Sequence, residues 1–542
     1  MFICILSSPS NGQTGRAARY QPGDWVNYAN FHYITSFAEG TRYVYIGTTH
    51  GVLRFNQLSQ QWEYPYTAGS GLQNDYVVNL LWRDNGQELW VFTHGGVDII
   101  HTVLDRWDHV PGSNNMIGNS SRSVRIGVTD HKIWIYAPHG SYRITPSSPY
   151  TSVQAAPQAQ TVRWMNQAVS PENMPNYFLN ASWDINRISH TLEDQRFREY
   201  PFTVQFTDSR QQTWIGTWGA GFIRADAATQ IGNVIQFGPL STPTGAICKT
   251  KSDFWFGSAG SWYAGPPSIE GEPGISRWDL STNQWIFTYP RDENAISDAN
   301  IYTIDADTYG AWFGTDRGLI HFNYKTGNWS NVDDALLKTS AVYDIMIADT
   351  SVWIAGQTGI IELTNPGGRV RKHFQVTRNT RYAVYALTKY QGKIYAGTDG
   401  GLIRMDMKTK QFQYYDQDGR VVSPEKFGYR RIYTLDSWQN TLYYADDYGM
   451  YAMDLSTGTL VQVPRLGLLS SSVVRKIAVG PKKVWVGFND GLGELRKERK
   501  EWEFYTTEDG LASNLVYDIQ LDSQYIWIAT RQGVTRFRAN KQ

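Results

Sequence analysis

Residues 311–322 read AWFGTDRGLIHF, and the phrase returns as IYAGTDGGLIRM at 394–405 and IWIATRQGVTRF at 526–537. Each copy is a short apolar and aromatic run, a polar turn ending in glycine, and a second apolar run. That pattern predicts two antiparallel strands joined by a tight turn. Gly318, Gly401 and Gly533 fall where the turn needs a positive φ, which a residue without a side chain adopts at no steric cost.

The same phrase begins at Val44, Leu89, Ile133, Thr213, Phe254, Val352, Leu442 and Val484, making eleven clear copies. Within consecutive copies the anchoring aromatics, such as Trp312, Trp353, Tyr395, Tyr443, Trp485 and Trp527, are 41 to 48 residues apart. This is the period of a four-stranded propeller blade. The wider gap from Trp134 to Trp214 leaves room for a degenerate twelfth copy around Tyr177–Ile188. An apolar stretch before each phrase, such as Ile301–Ile304, and an aromatic one after it, such as Trp502–Tyr505, supply the other two strands. Helical periodicity is almost absent, so the expected class is all-β, a β-propeller of about twelve blades.

Twelve blades in one ring would leave a wide channel, so two propellers in tandem are expected. The first would span 20–280 and the second 281–542, six blades each, with a seven-plus-five division near 325 as the alternative. Asp24–Tyr28 matches the outer-strand pattern of Glu501–Tyr505, and the chain stops just after the third strand of its last copy. The amino-terminal strand is therefore expected to complete the last blade and protect the exposed edges of the ring.

Composition narrows the function. Lys plus Arg and Asp plus Glu both total 50, so no global field draws the chain to nucleic acid or an anionic membrane. The two cysteines, Cys4 and Cys248, offer no disulfide framework or cysteine metal site. Residues 1–19 begin with MFICILSSPSNGQ, which reads as the tail of a signal peptide or a disordered leader, and implies a periplasmic or extracellular protein. Nothing later approaches the roughly 18 to 20 continuous apolar residues of a membrane span.

A Gly-Leu loop, an apolar strand, a Trp-Ile strand and a Gly hairpin follow one another in Glu508–Tyr517 and Ile526–Phe537, and the loop recurs at Gly69–Asp75. This order resembles the two-component-regulator propeller repeat of extracytoplasmic bacterial sensors, over about residues 24–538. The resemblance implies a ligand-sensing head, often for oligosaccharides. In that family a β-sandwich, a membrane span and a signalling output follow the propellers. Here the chain stops at the last repeat, which points to a stand-alone binding protein.

In such a fold the hairpin turns share a face with the loops entering the innermost strands. That face collects the candidate ligand-binding residues His50, His94, His139, Trp218, Asp316, Arg317, Asp399, Asp490 and Arg531. Aromatic, acidic and basic groups together suit a polar, hydroxyl-rich small molecule or glycan. Taken singly, each is also an ordinary turn residue. The three histidines occupy equivalent turns on successive repeats, on the order of 10 Å apart by the spacing of packed sheets, so no shared metal is expected. Most of the 21 Trp and 34 Tyr sit at fixed phase in the strands and read as buried anchors, with Trp218 and Trp262 as exceptions in turns. No nucleotide loop, HExxH or nucleophile elbow is present, and no cofactor is implied. The reading is an exported, non-catalytic ligand-binding or sensor-type propeller; a protein-interaction scaffold and a polysaccharide lyase or hydrolase are the alternatives.

Overall fold

The computed structural model describes residues 20–539, except 22, 119–123, 130–131, 139, 148, 156–161, 167, 170–175, 181, 260–272, 291–295, 297–299, 378–381, 429, 462 and 465–472. The leader 1–19, His139 and Trp262 thus lie outside the described residues. What is described is all-β, with short strands and a few single-turn 3-10 helices. None of its helices is long and apolar enough to cross a membrane.

The recurring phrase is the hairpin of the second and third strands of a sheet. In the 311–322 copy, Gly310–Thr315 pairs with Gly318–Asn323 around the two-residue turn Asp316–Arg317. Gly318 has φ +110. The Thr315 hydroxyl donates to the Gly318 carbonyl at 3.0 Å and accepts from the Arg317 N–H at 3.0 Å. Thr48, Thr398 and Thr530 repeat the device. This satisfies turn groups that no strand could reach, and it explains the threonine in the phrase. The glycine before it answers a packing demand, because a Cβ on Gly314 would lie 2.6 Å from the Val342 side chain of the next sheet.

By contacts the chain separates into two compact units. One is built mainly of Asn30–Gly238, the other of Asn27–Ala29, Pro239–Thr507 and Leu511–Gln542. The division follows Gly238, about forty residues before the boundary expected near 280. The sheet of Thr244–Lys249, Asp253–Ser258, Ile275–Asp279 and Gln284–Thr288 belongs with the later repeats. Its first strand packs against Ile301–Ala306 on one side and Val516–Leu521 on the other.

The second unit holds seven sheets, each with its first strand innermost. These inner strands are Thr244–Lys249, Ile301–Ala306, Val342–Ala348, Val384–Tyr390, Ile432–Trp438, Val474–Val479 and Val516–Leu521. Each packs against the next, and the last packs against the first, so they close a cycle. The seventh sheet takes three strands from the carboxyl end of the chain and its outer strand, Trp25–Tyr28, from the amino end. There the Thr535 hydroxyl bonds Asn27 Oδ1 at 2.8 Å, and Tyr28 lies against Trp278 and Trp527. The expected closure is present. Large side chains of the second strands, Trp255, Trp312, Trp353 and Tyr395 among them, are almost fully buried between sheets.

The first unit has four-stranded sheets at Ile34–Tyr66 and Val77–His109, and a five-stranded one over Arg125–Trp164. A seven-stranded sheet follows over Phe178–Ile235. In that last sheet the long strand Glu199–Thr207 pairs through its first half with Thr191–Asp194 and through its second with Gln212–Thr217. Of the degenerate copy expected near Tyr177–Ile188, Phe178–Leu179 pairs in parallel with Ile231 and Gly232, and Trp183–Asn186 pairs with Thr191–Asp194, so that range does not form a hairpin within itself. Asn166 links two inner strands of the unit, its Oδ1 accepting from Phe37 N at 2.9 Å and its Nδ2 donating to Asn79 Oδ1 at 2.7 Å.

Candidate functional site: a tyrosine collar on the second unit

The inner strand of every sheet in the second unit carries the same irregularity. Pairing with the second strand slips between the first and third residues, as at Ile301/Thr303, Val342/Asp344, Val384/Ala386, Ile432/Thr434, Val474/Lys476, Val516/Asp518 and Thr244/Ala246. A bulge leaves one residue without a cross-strand partner and re-aims its side chain. The seven bulged residues are Tyr302, Tyr343, Tyr385, Tyr433, Arg475, Tyr517 and Gly245, all partly exposed.

Four of these rings form a continuous arc over consecutive sheets. Tyr302 and Tyr343 stack at 6.0 Å, Tyr343 and Tyr385 lie 5.1 Å apart, and Tyr385 and Tyr433 are 5.6 Å apart. On the far side Arg475 lies over Tyr517 at 5.8 Å. The collar thus offers aromatic faces along one arc, a cation on another, and a gap at Gly245.

Asp399 ties the hairpin turns to this collar. Its Oδ1 accepts from the Tyr385 hydroxyl and from Arg431 Nε, both at 2.7 Å, and its Oδ2 accepts from Ala383 N at 3.3 Å. Arg431 also reaches the Tyr433 hydroxyl at 3.4 Å. Burial, reinforced by this carboxylate, pushes the Tyr385 phenol well above its usual range. A fixed guanidinium, a carboxylate and phenol hydroxyls therefore stand beside stacked rings, an arrangement able to hold a polar ligand by hydrogen bonds and ring contacts.

Below the collar, inner strands of the closed cycle turn their free edges toward one another. The N–H groups on those edges have no strand partner, and side chains from the preceding sheet satisfy several of them. Asp305 Oδ2 accepts from Ile347 N at 2.8 Å, Asp344 Oδ2 from Leu387 N at 2.7 Å, and Asp436 Oδ2 from Val479 N at 2.7 Å. Asp518 Oδ2 closes the cycle on Ile247 N at 3.0 Å. Lys476 Nζ is 3.0 Å from Asp518 Oδ1 and also feels the charges of Asp344 and Asp436, which come from other sheets of the cycle. Burial pushes Asp305 up to about 7 and Asp344 up to about 6.

The sequence-based candidates meet different fates. Of those in the second unit, Asp399 joins the collar. Asp316 is spent on the loop entering its sheet, with its carboxylate accepting from Asn300 N at 3.2 Å, while Arg317, Asp490 and Arg531 are exposed turn residues. In the first unit His50 and Trp218 converge on the segment Asn30–Tyr33. Trp218 packs edge-on against Tyr33 at 5.2 Å, the neighbouring Gly219 N–H donates to His32 O at 3.1 Å, and the Thr49 hydroxyl pairs with His50 Nδ1 at 2.9 Å. Burial pulls His50 down to about 4 and His32 to about 3, so both are neutral near pH 7. His94 stacks on Tyr76 at 3.9 Å. Among the described residues no group of three or more His, Cys, Asp or Glu is placed to hold a metal.

The collar itself escaped the sequence reading. Its signal is a tyrosine after the first β-branched residue of the inner strand, as in Ile301-Tyr302, Val342-Tyr343, Val384-Tyr385, Ile432-Tyr433 and Val516-Tyr517. The same letters fit an ordinary apolar strand, so the tyrosine does not stand out in one copy.

No protein-family model matches the chain, and no curated protein is similar to it in sequence. Among solved structures it is similar to PorZ of Porphyromonas gingivalis, described as an essential bacterial surface component of the type-IX secretion system. The identity is 13%, the TM-score 0.59, and the match covers 95% of this chain and 87% of that one. Extracellular domains of two hybrid two-component systems from B. thetaiotaomicron also align. One does so at 12% identity and TM-score 0.44, over 94% of this chain and 82% of that one. The other reaches 13% and 0.45, over 94% and 70%. At these identities the likeness to PorZ is one of fold.

Proposed function

We propose that the chain is an exported, non-catalytic binding protein whose second unit, read as a seven-bladed propeller, recognises a polar ligand at the tyrosine collar. The first unit is read as a five-bladed propeller, counting the fused Phe178–Ile235 sheet as two blades. The observation that carries the ligand reading is the collar: bulges at one position in all seven sheets bring five tyrosines together with Arg475 and the Asp399–Arg431 pair. Core packing does not require phenols there, since the bulged residues are all partly exposed. Export is supported by the apolar start of the sequence and by the fold shared with a bacterial surface protein.

The test is a panel of soluble glycans and peptides screened by calorimetry against the intact chain. Tyr343→Ala and Tyr385→Ala should each weaken a hit by about 1 kcal/mol or more, within the range of aromatic contacts. Thr326→Ala and Thr457→Ala, in turns between third and fourth strands, should leave it unchanged. Equal losses in both pairs, or none in the first, would refute the site. A scaffold role is the second reading, favoured by the fold likeness to a secretion-system component. It predicts capture of a protein partner that the collar substitutions do not disturb.

A further inference from the structure

In the first unit a short segment, residues 162–166 and Ala168, lies on the inner strands of all four sheets. Arg163 and Trp164 pair antiparallel with Val128 and Gly127, on the edge of Arg125–Thr129 that its hairpin partner leaves open. Met165 N donates to Ile126 O at 2.8 Å. Asn166 then reaches Phe37 N in the first sheet and Asn79 Oδ1 and Leu80 O in the second, and Ala168 bridges Val204 in the strand Glu199–Thr207. The segment sits on its edge as a bound strand does. Gly127 lacks a side chain where the two backbones meet, and a Cβ there would lie 2.3 Å from Val162 Cγ1 and 2.9 Å from the Trp164 ring. The Arg125 guanidinium lies over that ring at 4.3 Å. The fit is incomplete, however. Asn166 has φ +47, so the chain leaves strand conformation after two paired residues, and among the described residues the bonding stops at Ile126, short of the strand's end at Arg125. Arg163 is exposed and Trp164, Met165 and Asn166 are partly exposed, so solvent reaches the segment.

We propose that the inner edge of Arg125–Thr129 is a docking site for an extended segment of a partner protein, and that the chain's own residues at Val162 to Asn166 are its intramolecular occupant, displaced when the partner adds as a strand. In strand addition the main-chain bonds supply affinity and the side-chain pockets supply selectivity. The pocket here is the notch over Gly127 with Arg125 beside it, and it fits a large aromatic residue preceded two positions earlier by a β-branched one, as in Val162-Arg163-Trp164. A straight partner strand gains over the tethered one because it can follow all five residues of the edge, whereas the tethered one turns away at Asn166. This inference concerns the first unit and does not depend on the collar binding anything.

The experiment uses the full chain and a labelled synthetic peptide with the sequence of residues 161–169. In the wild type the tethered segment competes at an effective concentration on the order of millimolar, so the peptide should not bind measurably. Asn166→Ala removes the bonds to Phe37, Asn79 and Leu80, and Trp164→Ala empties the notch, while the peptide keeps both side chains. Fluorescence anisotropy should show each variant binding the peptide at least about tenfold more tightly than the wild type. A peptide with its own Trp replaced by Ala should bind neither variant. Hydrogen exchange on the wild type gives a test that needs no substitution: the Phe37 and Met165 amides, both bonded across this contact, should exchange through a local opening, faster than the amides of the buried strand Glu88–Thr93. Exchange of those two amides only on global unfolding, no gain in peptide affinity in either variant, or binding indifferent to the peptide's tryptophan would each overturn the proposal.

Discussion

Closure of the second unit can be tested by adding a single carbon. Gly533 has φ +109, and a Cβ there would lie 2.2 Å from the Tyr28 carbonyl oxygen and 3.1 Å from its carbon. Both are backbone atoms and cannot swing aside, so in Gly533→Ala the amino-terminal strand has to move. Three costs follow. The backbone conformation is strained for an L-residue by about 1 to 3 kcal/mol. Tyr28, 4% exposed and packed between Trp278 and Trp527, loses burial worth about 1.5 to 3 kcal/mol. The Thr535–Asn27 hydrogen bond contributes about 1 kcal/mol more. Together these predict a loss of about 4 to 7 kcal/mol. Gly458→Ala is the matched control, because Gly458 also has positive φ, at +76, yet a Cβ there would meet nothing within 4 Å. It should cost only the strain, about 1 kcal/mol. Scanning calorimetry at about 2 to 4 °C per kcal/mol should separate the two variants by about 10 °C in the transition of the second unit. If their midpoints agree within about 2 °C, the terminal strand does not close the unit in the way argued.

Acid should stabilise the second unit through its central carboxylates. Asp305 and Asp344 titrate near 7 and 6 in the fold against 3.8 unfolded, so their contribution is complete below the unfolded value and is lost as pH rises through the folded ones. The thermal midpoint should fall between pH 5 and pH 8, and Asp305→Asn, which keeps an acceptor for Ile347 N, should flatten that slope; an unchanged slope would refute the assignment. Lys476→Met leaves Asp518, Asp344 and Asp436 without their shared counter-charge. It should cost about 1 to 3 kcal/mol, below the range of a fully buried pair because the lysine side chain is 36% exposed. Adding Asp518→Asn should recover part of the loss in a double-mutant cycle, and additive losses would show that the two residues are not coupled.

The all-β class, the hairpin phrase, its positive-φ glycines and the closing strand were legible in the sequence because each is a local pattern repeated many times. A turn such as Thr315–Gly318 is specified by four consecutive residues, and the match between Asp24–Tyr28 and Glu501–Tyr505 is a comparison of two short strings. The division into units was not legible in that way. Whether the Thr244–Thr288 sheet joins what precedes or follows it depends on which inner strands it touches, Ile301–Ala306 and Val516–Leu521, and the second of these lies more than 220 residues away in sequence. The same holds for the site. The turn residues chosen from sequence shared a phase, yet phase could not tell Asp399, which holds Tyr385 and Arg431, from Asp316, which holds only the entry loop at Asn300. The tyrosine at the second position of the inner strand was visible as a letter, but only the bulge that breaks pairing around it takes it out of the strand's alternation. A bulge is a matter of pairing between two strands of one sheet and ring closure of contacts between sheets, and neither is written in a single strand read by itself.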